Sequence, residues 1–185
     1  KTIYNNNKRK CVDCDQISYL GKDYPSIKND YKQVFSTQTA YQMISILEGV
    51  VKRGTGKKLK DLKLNIGGKT GTTNKNTDTW FIGFTSNLLI GVYVGFDNPT
   101  PLGRYETGSK TALPIFKDLI KKAVKKSEAR PFKAAKGTVM MVVDPTTGEK
   151  ANFTSKNTIL EVYKEKNIKD GKVLYSNTNR LDQNN

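Results

Sequence analysis

Residues 65–74, NIGGKTGTTN, gather the side chains of this sequence best suited to chemistry: Lys69 beside Thr70 and Thr72, with glycines at 67, 68 and 71. Two chemistries compete for such a string. A phosphate-cradling loop needs G-x-x-x-x-G-K-[ST] between a strand and a helix, so that backbone N–H groups and the helix dipole face the phosphates. Gly68-Lys69-Thr70 matches its end, but Lys63 stands where the first glycine belongs, and a strand pattern follows Thr72. The other chemistry is that of a strand along an open cleft. Alternation then sends Thr70 and Thr72 to one side and Lys69 and Gly71 to the other. Two hydroxyls and a nearby ammonium can hold a carboxylate, while Gly71 leaves room for a substrate backbone. The Thr72 backbone N–H is placed to face a developing oxyanion. Three residues, K-T-G, carry little specificity alone, and a simple Lys-Thr-Gly turn satisfies them too.

The rest of the composition narrows the chemistry further. There is no histidine among the 185 residues, which removes Ser-His-Asp triads, Cys-His nucleophiles and His-ligated metals together. Any acyl transfer must use lysine for its proton work. Cys11 and Cys14 form a lone C-x-x-C with no second pair to complete a zinc site. A local disulfide or free structural thiols fit it best, ahead of redox and metal roles. No metal or other cofactor is implied.

Lysine and arginine number 32 against 17 acidic residues, a formal charge of +15. The basic residues are spread among asparagines and isoleucines without an aromatic-rich nucleic-acid motif, so a solvated lysine surface is expected and nucleic acid is not. No apolar run approaches the roughly 20 residues of a membrane helix. A chain beginning at Lys1 rather than Met is expected to be a processed or truncated product, so targeting signals fall outside it.

The elements that must position residues 65–74 follow from periodicity. Residues 1 to 32 read as irregular with one short strand. Ser36 or Thr37 caps a helix carrying Ala40, Met43, Ile44, Leu47, Val50 and Val51, stopped by Gly54 and Gly56. The Lys69 strand precedes two antiparallel strands, DTWFIGFTSN and LLIGVYVGFDNP, turned at Ser86-Asn87. A second helix is predicted from about Leu113 to Lys126, with Ile115, Phe116, Leu119, Ile120, Ala123 and Val124 as one continuous apolar stripe and Pro114 in its first turn. GTVMMVVDPTTGEKAN reads as a strand ending in a turn at Asp144 to Gly148, and SNTNRLDQNN as a disordered tail. A boundary is expected near residue 127.

VFSTQTAYQMISILEGVVKRGTG, followed by GGKTGTTNKNTDTWFIGFTSNLLIGVYVGFDNPTPLGRYETGSKTALPIFKDLI, closely resembles the transpeptidase domain of class A penicillin-binding proteins, the bifunctional peptidoglycan synthases. The resemblance covers about residues 34 to 124 in matching order and spacing. It implies an α/β (α+β) architecture, an antiparallel sheet flanked by helices, in an incomplete penicillin-recognising serine transpeptidase or β-lactamase-like fold. Residues 1–126 would be the C-terminal portion of that domain and 127–185 an extension. It further implies D,D-transpeptidation of peptidoglycan, with Lys69, Thr70, Gly71 and Thr72 binding the terminal carboxylate of a D-Ala-D-Ala stem peptide or of a β-lactam. Lys69 and the Thr72 amide would also act in catalysis, the latter in the oxyanion hole.

The family's three motifs are S-x-x-K, S-x-N and K-T-G. Only K-T-G is in place. No S-x-x-K occurs, and the one S-x-N, Ser155 to Asn157, follows K-T-G where the family places it before. The nucleophile is therefore expected on a preceding, N-terminal part of the same protein, with the whole held at the outer side of the bacterial inner membrane. A serine β-lactamase, a D,D-carboxypeptidase or a non-catalytic wall-peptide binder are the alternatives. Trp80, Phe81 and Phe84 read as core and cleft-wall packing, Asp78 and Asp97 as turn or surface carboxylates, and Tyr41 as a helix residue. Arg104, Glu106 and Thr107 lie in a loop without an assigned mechanism.

Overall fold

The computed structural model describes residues 9–12, 26–29, 33–125, 129–169 and 172–173, with side chains over 33–125 and 129–168. Two compact units divide at Ser36. In the first, β1 (Arg9–Val12) pairs antiparallel with β2 (Ser26–Asn29), so the polar N-terminal stretch holds two strands where one was expected. The Cys11 side chain and Cys14 lie outside the described residues, as do the expected boundary at 127 and the tail from 176.

The second unit begins with α1 (Thr37–Lys52). Its end is set by backbone crowding. The amides of Gly54 and Gly56 both donate to the Val50 carbonyl, at 3.0 and 2.9 Å. A Cβ on Gly54 would sit 2.9 Å from the Val50 Cα, so the chain folds back over the last turn only with glycine there. A 3-10 turn (Lys57–Leu62) then buries Leu59 and Leu62.

β3 (Gly67–Thr72), β4 (Asp78–Phe84) and β5 (Leu89–Gly95) form an antiparallel sheet in the order β3-β4-β5, with β3 at an edge. Thr85 and Leu88 close the β4–β5 turn around Ser86-Asn87, as the sequence predicts. Alternation assigns the faces. Thr70, Phe81 and Val92 stand opposite one another on one face, and Gly71, Trp80 and Tyr93 on the other. On the first face α2 (Ala112–Ala123) buries Leu113, Phe116 and Ile120. Phe116 meets Phe81 at a centroid distance of 4.7 Å, and Val51, Leu59, Leu62, Ile66, Val92 and Val124 complete the core.

Three expectations are corrected here. The second helix stops at Ala123, and Val124 is extended with its side chain still in the core. The residues after it, Lys-Lys-Ser-Glu, offer no apolar group to repay further turns. Ile115 and Leu119, read as part of the apolar stripe that would face the core, are each 46% exposed. The core face is instead Ala112, Leu113, Phe116, Ile120 and Val124, an arc of about 120° at 100° per residue. Trp80 is 42% exposed and stacks on Tyr93 at 4.8 Å on the face away from α2, whereas Phe81 is fully buried and Phe84 meets Phe132.

After α2 the chain forms a second hairpin, β6 (Thr138–Val143) with β7 (Ile159–Lys164), of which the sequence reading anticipated only the first strand. Short pairs Ile168–Lys169 and Lys172–Val173, β8 and β9, follow. The hairpin region returns to α1. Gln38 and Gln42 donate to the carbonyls of Lys136 and Val162, Lys164 donates to the Thr39 hydroxyl at 2.7 Å, and Arg53 pairs with Glu161. α1 thus forms where its helical spacing predicts and is gripped from two sides: Tyr41 is buried, while Ala40 and Met43 are exposed.

Candidate functional site

The four candidate residues share β3. Lys69 and Thr72 are exposed, Thr70 and Gly71 half-buried: among the described residues no strand covers the outer edge, and only the first residues of β3, Gly67 and Gly68, are buried. Lys69 Nζ donates to the Thr70 carbonyl at 2.9 Å. The hydroxyls of Thr70 and Thr55 lie 3.0 Å apart, tying the strand to the turn after α1. Thr72 Oγ1 accepts from the Gly108 amide at 3.1 Å. The two threonines stand on one face about 7 Å apart, as two-residue spacing along a strand requires, with the Lys69 ammonium at the same edge. This arrangement can bind an extended chain along its edge and neutralise an anion at its end.

Two parts of this environment were not legible beforehand. Gly108 and Thr111, in the stretch ETGSKTA, pack against β3 and β4: Thr111 and Thr79 hydroxyls lie 2.6 Å apart. No periodicity marks that stretch, and only its place in the resemblance pointed to it. Thr55 is the other, a threonine between glycines that reads as a helix stop.

Asp78 opens β4 and pins the turn after β3. Tyr93 donates to its Oδ1 at 2.6 Å, Thr77 and Thr73 donate to Oδ2, and the Asp78 amide donates to Thr73 Oγ1. The Tyr93 hydroxyl, with help from the two threonines, holds the Asp78 carboxyl below the usual carboxylate range; the same bond pushes the Tyr93 phenol up. A carboxylate depressed on folding stabilises the fold above its unfolded value near 4, and that contribution is lost as pH falls through the folded value. A phenol raised on folding stabilises below about 10 and the contribution is lost as pH rises through its folded value. The expected result is protection of the Thr73 amide, which donates to the Asp78 carbonyl at 3.0 Å, that declines at both extremes. Amide exchange reads it, with Asp78→Asn abolishing the acid limb; a wild-type profile flat through the carboxylate range would contradict it. Asp78 is thus a turn carboxylate, and it accepts bonds rather than forming an acid–base pair with Asp97.

Comparison with known proteins places these features. The family description "Penicillin binding protein transpeptidase domain" matches residues 1–121. Penicillin-binding protein 1A of Rickettsia felis is 39% identical over 171 residues, 91% of this chain and 21% of the relative. Penicillin-binding protein 1A of Pseudomonas aeruginosa is 39% identical over 134 residues, covering 72% of this chain and 16% of that protein. The crystal structure of penicillin-binding protein 1A from Haemophilus influenzae superposes with a TM-score of 0.64 at 31% identity, over 72% of this chain and 22% of that one. The chain spans about a fifth of the length of the Rickettsia relative. With the antiparallel sheet, its flanking helices and the K-T-G edge strand in place, the chain belongs to the penicillin-binding protein transpeptidase family, in its class A branch.

Proposed function

We propose that this chain supplies the substrate-carboxylate wall of a peptidoglycan D,D-transpeptidase, with residues 1–126 as the C-terminal part of the catalytic domain. The observation that supports the reading most is that Lys69-Thr70-Gly71-Thr72 forms an edge strand among the described residues, with Lys69 and Thr72 exposed. Lys69, Thr70 and Thr72 hold the terminal carboxylate of a D-Ala-D-Ala stem peptide, or that of a β-lactam, and Gly71 lets the peptide backbone approach. The Thr72 amide stabilises the oxyanion formed when a serine attacks the penultimate carbonyl. That serine expels terminal D-alanine, and an amine of a second stem peptide takes up the acyl group, restoring the hydroxyl. The serine and its lysine belong to sequence outside these 185 residues, which contain no S-x-x-K. The setting is the bacterial cell envelope, on the outer face of the inner membrane. Partners are the stem peptide, β-lactams and the nucleophile-bearing part of the same protein; nucleic acid is not among them.

The expected result is that the 185-residue chain forms no covalent adduct with a fluorescent penicillin, because the acyl-accepting serine is absent. The same reagent labels a protein joining this sequence to its S-x-x-K segment. Gel fluorescence reads both, and labelling of the isolated chain would overturn the division of roles.

A further inference from the structure

We propose that the loop at residues 107–111 is a positioning element for β3: the Gly108 amide orients the Thr72 hydroxyl so that its proton is free for an anionic substrate group. The inference rests on β3 being the carboxylate-binding strand. A threonine hydroxyl has one proton and two lone pairs. The Gly108 N–H takes one lone pair at 3.1 Å. Since that partner is itself a donor, the Thr72 proton must point elsewhere, and the exposure of the residue leaves it open to a ligand.

The loop is held from several directions. Thr111 Oγ1 donates to the Thr107 carbonyl at 3.0 Å, which commits its proton. Thr79, fully buried, must then be the donor across the 2.6 Å contact to Thr111. The Gly108 carbonyl accepts from the Leu113 amide at 2.8 Å, in the first turn of α2. One residue thus joins the helix that packs Phe116 on Phe81 to the hydroxyl of Thr72. Room, rather than an unusual backbone angle, selects glycine there. A Cβ on Gly108 would lie 2.4 Å from the Trp80 carbonyl oxygen and 2.7 Å from that of Gly71. Both are backbone atoms inside the sheet, so the loop itself must retreat from Thr72.

The test uses a protein carrying these residues with its nucleophilic serine, and measures the second-order acylation rate by a penicillin with a free carboxylate and by its methyl ester. The acid-to-ester rate ratio reports carboxylate recognition. Gly108→Ala is expected to lower that ratio about tenfold, the scale of one lost hydrogen bond, the acid rate falling more than the ester rate. Thr72→Val lowers the ratio similarly, Thr72→Ser restores it, and Gly108→Ala adds nothing in the Thr72→Val background. Equal losses for acid and ester, or full additivity with Thr72→Val, would show a merely structural loop and overturn the proposal. An unchanged ratio in Thr72→Val would instead overturn the reading of β3 as the carboxylate site. Should Gly108→Ala fail to fold, Thr111→Val loosens the same loop with glycine retained; a lowered ratio supports the proposal and an unchanged one overturns it.

Discussion

Lys69→Ala, in a protein that joins this chain to its nucleophilic segment, is expected to slow acylation by carboxylate-bearing β-lactams by about 10- to 100-fold, the range for losing a hydrogen bond to a charged group. The lysine is well placed to act. Its ammonium is exposed at the sheet edge, held at 2.9 Å by the Thr70 carbonyl, and among the described residues no carboxylate pairs with it. Its charge is therefore available to a ligand instead of being neutralised within the fold. The side chain is exposed and contributes little to packing, so the thermal midpoint should hardly move. Lys69→Arg should recover only part of the rate, because a planar fork and a point charge address a carboxylate differently. Stopped-flow acylation with a chromogenic cephalosporin decides the matter; an unchanged rate in Lys69→Ala would remove Lys69 from the site.

The largest stability loss is expected from Phe116→Ala, about 3–5 kcal/mol for deletion of a buried aromatic ring. Phe116 is fully buried, tilted 58° against Phe81, and lies at the centre of the α2–sheet contact. Its ring also lies over Gly83 of β4, which has no side chain to offer the void. For a chain of this size the midpoint should fall by roughly 6–20 °C, at about 2–4 °C per kcal/mol. Ile115→Ala, on the exposed side of the same helix, should shift it far less. Differential scanning fluorimetry of the two variants checks the assignment, and similar losses in both would restore the wider stripe read from periodicity.

The contrast between those two residues shows where sequence reasoning reaches its limit. A run of apolar residues at helical spacing locates a helix, but its width exceeds the face one small sheet can cover. Which of Phe116 and Ile115 is buried depends on how α2 is rotated, and Val124 and the Gly108–Leu113 bond set that rotation. α1 was located as predicted, but the faces it buries were not legible, for the complementary reason. Its side chains meet the sheet on one side and the β6–β7 hairpin region on another, so polar residues such as Gln38 and Gln42 take contact positions that apolar spacing does not reveal. The strands were easier. Their period of two and the Ser86-Asn87 turn specify both pairing and face, so Phe81 falls inside; Trp80, one residue away, falls outside.

By itself the sequence determined that Lys69, Thr70, Gly71 and Thr72 lie on a strand next to a hairpin, that histidine chemistry is excluded, and that no S-x-x-K serine is present. These are matters of residue type and local spacing, which the chain carries without folding. Only the tertiary structure decided that β3 is an edge strand among the described residues, that Thr55 and Gly108 hold its two threonine hydroxyls, and that a helix far along the chain is tied to β3 through one glycine. Those contacts join residues 15 and 36 positions apart. No local pattern encodes them, because their geometry depends on how the core packs around Phe81 and Phe116.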